Sequence, residues 1–244
     1  MTIQTYIAIA TSLGLILSEF FKWGPSYQLS LLPFLTVLLI WPVFFIGFGF
    51  AIVNVIIGLR KNSKSVATAR EYGFEVFSVA NAVKRADIVH VLLPDQNQAE
   101  VYKKEISPHL KPGKALSFSH GFNIVFGFIK PPKNLDVFMV APHSPGSEER
   151  RLFLEGKGVP GLFAVHQNVS GKAKDYALAL AKACGFTRVG VYECSFEQET
   201  YSDLFAEEAV LCGGLSELVK AGFDTLVKKG FSEEMAYFAC AYEV

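Results

Sequence analysis

Charge is what the first quarter of this 244-residue chain lacks. Residues 1–59 carry only Glu19 and Lys22, and residues 23–59 contain no Asp, Glu, Lys, Arg or His. An excess of either sign is also missing, because 23 Lys and Arg balance 23 Asp and Glu. That balance excludes the basic surface of a nucleic-acid binder and an acidic disordered tail. Cysteine is scarce: Cys184, Cys194, Cys212 and Cys240 form no C-x-x-C pair, which argues against a disulfide scaffold and for reduced thiols. The extreme N-terminus has no basic residue and no small-residue cleavage site precedes the charged part, so a secretory signal peptide is a poor reading. His90, His109, His143 and His166 show no metal-ligand spacing.

What fills the head instead is apolar sequence. Residues 31–57 are nearly continuous apolar chain, longer than the ~20 residues that cross a bilayer as a helix. A shorter run spans residues 6–21, and Trp23, Tyr27 and Trp41 sit where interfacial aromatics would. Two readings stay open for residues 1–52: a transmembrane hairpin, with membrane contact through residues 5–57, or the product of an aberrant reading frame. Arg60, Lys61, Lys64 and Arg70 follow directly, which on the positive-inside bias would leave the body cytoplasmic, tethered or not.

The other 44 charged side chains lie in residues 60–244, where short apolar runs alternate with amphipathic stretches. Strands are expected over 53–59, 74–77, 88–93, 115–118, 137–140, 162–165 and 187–192. Helices are expected over 65–72, 79–84, 98–106 and 172–184, then over 197–211, 215–226 and 233–243. Strands alternating with helices indicate an α/β fold with a parallel sheet, and the terminal run of helices indicates an appended helical domain.

Doubly wound sheets bind ligands beyond the carboxyl ends of their strands. After the strand at 53–59 come Arg60, Ser63 and Ser65, a cation and two hydroxyls that suit a phosphate or form a solvated basic turn. After 88–93 come Asp95, Gln96, Asn97 and Gln98, able to line a cofactor cleft or to cap a helix. His120 stands between Ser119 and Gly121 at the next strand end, as a proton-handling or a structural imidazole. Gly146 closes a proline-rich loop after 137–140. Asp203 and Glu207, at i and i+4, share a helix face and either hold a hard cation or are solvated.

Taken in order, several strings resemble ketol-acid reductoisomerase (acetohydroxy-acid isomeroreductase). They are Val55-Ile56-Ile57-Gly58-Leu59-Arg60-Lys61, Leu92-Leu93-Pro94-Asp95-Gln96-Asn97-Gln98, Ser119-His120-Gly121-Phe122-Asn123-Ile124, Gly158-Val159-Pro160, Ser202-Asp203-Leu204-Phe205-Ala206-Glu207 and Ala209-Val210-Leu211-Cys212-Gly213-Gly214. The resemblance covers residues 53–244. It implies a Rossmann-like NADP-binding domain over 53–193 and a helical metal and substrate domain over 194–244. It also implies NADPH and Mg²⁺ as cofactors and homo-oligomers as in the family. The implied reaction is Mg²⁺-dependent alkyl migration followed by NADPH reduction of 2-acetolactate, or 2-aceto-2-hydroxybutyrate, to the 2,3-dihydroxy acid of branched-chain amino-acid synthesis. By position, Arg60, Ser63 and Ser65 would hold the 2′-phosphate, Asp95 to Gln98 and Gly146 the cofactor, and His120 the active-site histidine. Asp203, Glu207 and Glu243 would be metal ligands.

The departures from the family are specific. Its first strand, Gly-x-Gly-x-x-Gly loop and helix should precede residue 53, but Gly47-Phe48-Gly49 is followed by Ile52 and leaves no room for the helix. The second metal pair would be Ala239 and Glu243, and alanine ligates nothing. His143 stands where the family has a lysine. The chain ends at Val244, where the family continues through further helices. The expectation is therefore an N-terminally altered, C-terminally truncated member with impaired activity, or alternatively a membrane-anchored non-catalytic relic or a mis-drawn gene product.

Overall fold

The computed structural model describes the backbone of residues 6–11 and the whole of residues 54–244. One eight-stranded sheet organises the first part, with strands β1 (Tyr6–Thr11), β2 (Asn54–Gly58), β3 (Glu75–Phe77), β4 (Ile88–Leu92), β5 (Ala115–Phe118), β6 (Asp136–Pro142), β7 (Gly161–Gln167) and β8 (Val191–Glu193). Their order across the sheet is β3-β2-β1-β4-β5-β6-β7-β8. All neighbours are parallel except β6 and β7, which pair antiparallel from Val137 opposite Gln167 to Pro142 opposite Gly161. The helices of this part are α1 (Ser65–Glu71), α2 (Val79–Arg85), α3 (Asp95–Val101), α4 (Phe122–Val125), α5 (Gly146–Leu154) and α6 (Ala173–Ala183).

Strands β4, β5 and β6 are buried on both faces, which is why they read as mostly apolar runs, with His90 and Ser117 inside them, rather than as alternating ones. Successive side chains still point to opposite faces. Val137 and Met139 join Ile56, Val83, Leu116 and Phe118 on one side, whereas Phe138 and Val140 join Phe163, Leu180 and Phe186 on the other. Helix α6 shows its packed face in its spacing, with Ala173, Ala177, Leu180 and Ala181 buried. It stops at Gly185, whose φ of +83° is the left-handed conformation that suits a helix end. Its start is tied to β6, where the buried Asp136 carboxylate accepts from the main-chain N–H of Val169 at 2.6 Å and of Ser170 at 2.9 Å.

Three expectations change. Residues 6–11, read as the start of an apolar spanning run, are instead β1 and hydrogen-bond to β2 and β4. A first strand therefore fills the place where the sequence left a gap, and residues 12–53 supply a connection far longer than the ~10–12 residues a parallel crossover needs. A stretch of β-branched and apolar residues meets strand and helix criteria alike, and pairing decides between them. The remainder of the membrane hairpin, its aromatics and Gly47-Phe48-Gly49 lie outside the described residues. No helix among the described residues is long and apolar enough to cross a membrane. The last strand is shorter than 187–192: Phe186–Arg188 forms a 3-10 turn and pairing begins at Val191. Helix α5 was not expected. Its polar surface is held by Arg151, which donates to Glu148 at 2.6 and 2.8 Å and also pairs with Glu155.

The chain divides into two compact units, Met1–Phe196 and Glu197–Val244. The second is helical. Helix α7 (Phe196–Phe205) runs into a π-helical turn, Ala206–Leu211, followed by α8 (Gly214–Lys228), α9 (Glu233–Tyr237) and a second π turn, Phe238–Tyr242. Gly222 on α8 lets Cys240 approach: a Cβ there would stand 3.1 Å from the Cys240 Sγ.

Candidate functional site

Parallel pairing of β2, β1, β4, β5 and β6 aligns their carboxyl ends along one edge of the sheet. The loops at that edge are where an open α/β sheet builds a ligand crevice. Past β2, Arg60 is exposed and Ser63 half-buried, and the Ser63 Oγ accepts from the Ser65 N–H at 3.3 Å. Ser65 is buried as the first residue of α1.

The loops past β4 and β5 are joined. Gln98 is only 4% exposed, and its Nε2 donates to the Leu93 carbonyl at 2.7 Å and to Asp95 Oδ1 at 3.1 Å. Asn123 is 2% exposed, and its Nδ2 lies 3.1 Å from the Asp95 carbonyl oxygen, 3.2 Å from Asp95 Oδ1 and 3.3 Å from Gln98 Oε1. Asp95 is half-buried, whereas Gln96 and Asn97 are exposed on the first turn of α3. Of the four residues expected beside a cofactor, three thus keep open surface and Gln98 faces inward.

His120 is half-buried between Ser119 and Gly121. Its ring centroid is 6.4 Å from that of Phe122, which in turn packs 4.8 Å from Phe126 and 5.8 Å from Phe128. The neighbouring Ser119 meets His90 on β4, a residue that nothing in the sequence singles out. Its Nδ1 is 2.9 Å from Ser117 Oγ and its Nε2 3.1 Å from Ser119 Oγ. Burial pushes its pKa down to about 4, so the ring is neutral, with one nitrogen donating and the other accepting.

Past β6, Gly146 opens α5, and the main-chain N–H groups of Glu148 and Glu149 both donate to the Pro145 carbonyl. His143 is exposed and its N–H donates to the Pro160 carbonyl at 2.9 Å. Glu149 is buried, and desolvation pushes its carboxyl up to about 7. The buried Cys184 thiol is pushed up by its own burial and, secondarily, by the Glu149 charge. An inert structural thiol follows.

In the helical unit Asp203 is half-buried on α7, Glu207 is exposed in the π turn that follows, and Glu243 is exposed beyond the second π turn. Asp203 has a companion in Glu199, one turn earlier on α7: their carboxylate oxygens lie within 4.8 Å of one another. Glu199 is 3% exposed, and the Thr200 hydroxyl donates to it at 3.2 Å. Its i, i+4 spacing to Asp203 was the available signal. Carboxylate oxygens are the donors a hard divalent cation prefers, so the chemistry of this pair fits Mg²⁺, whereas Ala239 adds no donor.

Comparison with known proteins places this geometry. Residues 51–190 match the family model for the acetohydroxy acid isomeroreductase NADPH-binding domain, and residues 196–244 match that for the ketol-acid reductoisomerase C-terminal domain. The chain is 60% identical over 192 residues to the ketol-acid reductoisomerase (NADP(+)) of Petrotoga mobilis, covering 79% of this chain. It is also 60% identical over 191 residues to that of Akkermansia muciniphila, covering 78% of this chain. It spans 58% of the length of each. Among solved structures it is similar to an NADH-preferring ketol-acid reductoisomerase from an uncultured archaeon, with TM-score 0.79 and 43% identity, over 98% of this chain and 66% of that one. The chain belongs to the ketol-acid reductoisomerase family.

Proposed function

We propose that this chain binds NADPH and carries the ketol-acid reductoisomerase reaction, an Mg²⁺-dependent alkyl migration and reduction of 2-acetolactate or 2-aceto-2-hydroxybutyrate to the 2,3-dihydroxy acid. The observation that carries the reading is that Arg60, Asp95 and His120 each follow the carboxyl end of a parallel strand, β2, β4 and β5, at one edge of the sheet. When bound, the nicotinamide supplies hydride and the cation polarises the substrate's oxygens.

The chain's own residues have distinct tasks in this reading. Arg60 gives the 2′-phosphate a cation, and the Ser63 and Ser65 hydroxyls flank it. This basic end of β2 favours NADP over NAD, where an acid would do the opposite. Asp95, Gln96, Asn97 and Gly146 line the cofactor, with Gln98 holding their loop from inside. His120 holds or passes a proton at the substrate. Residues 53–193 form the cofactor part and 194–244 the metal and substrate part, with Asp203, Glu207 and Glu243 as oxygen donors and Glu199 beside Asp203. Ala239 removes a donor, so turnover is impaired.

The test is NADPH and NADH binding to the full chain by fluorescence titration, followed by NADPH oxidation with 2-acetolactate. The expected result is tighter binding of NADPH than of NADH, with slow oxidation that needs both Mg²⁺ and 2-acetolactate and speeds up in Ala239→Glu. Failure to bind NADPH, or oxidation indifferent to Mg²⁺, would remove this reading.

A further inference from the structure

The loop that carries His120 is gripped from below at both ends. At its start, Ser119 Oγ lies 3.1 Å from the buried Nε2 of His90. At its end, Asn123 places one amide nitrogen within 3.1–3.3 Å of three oxygens of α3, two on Asp95 and one on Gln98. Gln98 returns a hydrogen bond to the same Asp95 oxygen. Asn123 also works along its own segment, because its carbonyl accepts from the Ile129 N–H at 2.8 Å. Helix α4, of four residues, is too short to be stable by itself, since helix nucleation is costly. Its position must come from such anchors. Both amides are almost wholly buried, so neither has surface to spend on a ligand. Their hydrogen bonds join α3 and α4 through residues 25–28 positions apart in the chain.

We propose that Asn123 is a positioning residue that clasps the His120 loop to the first turn of α3, so that occupancy of the cofactor cleft and the placement of His120 are coupled. The coupling rests on the reading above that residues 95–97 face a nicotinamide dinucleotide; the clasp does not. A ligand that orders the first turn of α3 orders α4 with it, because Asp95 accepts from Asn123 through both its main-chain and its side-chain oxygen.

Amide hydrogen exchange on the full chain tests both halves. The reporters are the N–H groups of Ile124, Val125, Phe126 and Ile129, which donate to Gly121, Phe122 and Asn123 carbonyls; Met139 and Val140 in central β6 are the controls. Without ligand, Asn123→Ala and Asn123→Asp should speed exchange at the reporters about tenfold or more while the β6 controls change far less, as expected of local opening. Asn123→Asp should act more strongly, because it sets a carboxylate against Asp95. Equal acceleration at reporters and controls would make Asn123 a residue of general stability and overturn the clasp. Unchanged reporters would overturn it as well. Gln98→Met, which attacks the clasp from its other side at nearly constant volume, serves if the Asn123 variants do not fold. With NADPH added, the reporters of the parent chain should slow and those of Asn123→Asp should not. NADPH that binds without slowing them overturns the coupling. NADPH that does not bind removes the functional reading and the coupling together, and the ligand-free comparison still decides the clasp.

Discussion

His90 and Ser117 are register partners on neighbouring parallel strands, and the imidazole Nδ1 sits 2.9 Å from the serine Oγ inside the sheet. The site tolerates only the uncharged ring, with its pKa lowered by burial from 6.5 to about 4. The unfolded chain therefore takes up the proton first as pH falls. His90 contributes stability that is fully present above about pH 6.5 and is lost progressively down to about pH 4, by up to ~3 kcal/mol. His90→Gln should flatten that acid limb in urea unfolding measured between pH 4 and 7. An unchanged limb would refute the assignment.

Glu149 acts with the opposite sign. Its folded pKa is raised from 4.5 to about 7, so the native state holds the proton longer than the unfolded one. Its contribution is complete below about pH 4.5 and disappears as pH rises to about 7, again by up to ~3 kcal/mol. Glu149→Gln keeps the group neutral throughout. That variant should match the parent chain near pH 4 and exceed its stability at pH 8. Between about pH 4.5 and 6.5 the two slopes oppose each other, so the parent profile should be shallow there and each single variant should expose the other's slope.

Gly158 begins the Gly-Val-Pro turn ahead of β7. An added Cβ would meet the Gly185 carbonyl oxygen at 2.3 Å, a backbone atom that cannot swing aside. Gly158→Ala should lower the thermal midpoint, with a cost of about 1–3 kcal/mol typical of overpacking. Calorimetry showing no shift would mean that the turn re-forms freely.

Arg60 is exposed at the end of β2, where its charge is available to a phosphate. Arg60→Glu should weaken NADPH binding about tenfold or more and leave NADH binding little changed or improved, following the charge logic of the second strand end. Equal losses for the two nucleotides would show that Arg60 does not discriminate by the 2′-phosphate.

How much of this was legible in the sequence differs element by element. Strands β4, β5 and β6 announce themselves because burial on both faces demands mostly apolar runs of strand length, which His90 and Ser117 interrupt only singly. Gly185 marks the end of α6 for a stereochemical reason visible in one letter. The loops at the strand ends also followed, once the strands were in place. Strand β1 did not, since an uncharged apolar head lacks the periodicity that separates strand from helix, and only its partners β2 and β4 identify it. Helix α5 was hidden by its polar composition. The inward turn of Gln98 and the bonds of Asn123 depend on loops that fold together from distant positions, and no local spacing encodes that. Glu199 carries the same i, i+4 spacing to Asp203 that Glu207 does, and only its burial in the fold separates it from a solvated acid.

Strand β1 is also the seam between two halves of the sheet, since among the described residues β2 and β4 each pair with it and not with one another. Arg60 hangs from one half and His120 from the other. A chain trimmed back to residue 53 would leave β2 and β4 with raw edges, each a template for pairing with another molecule. Such trimming should turn a monodisperse preparation into an aggregating one. It should also separate the phosphate-facing cation from the histidine, leaving the six residues Tyr6–Thr11 as the hinge pin of the whole crevice.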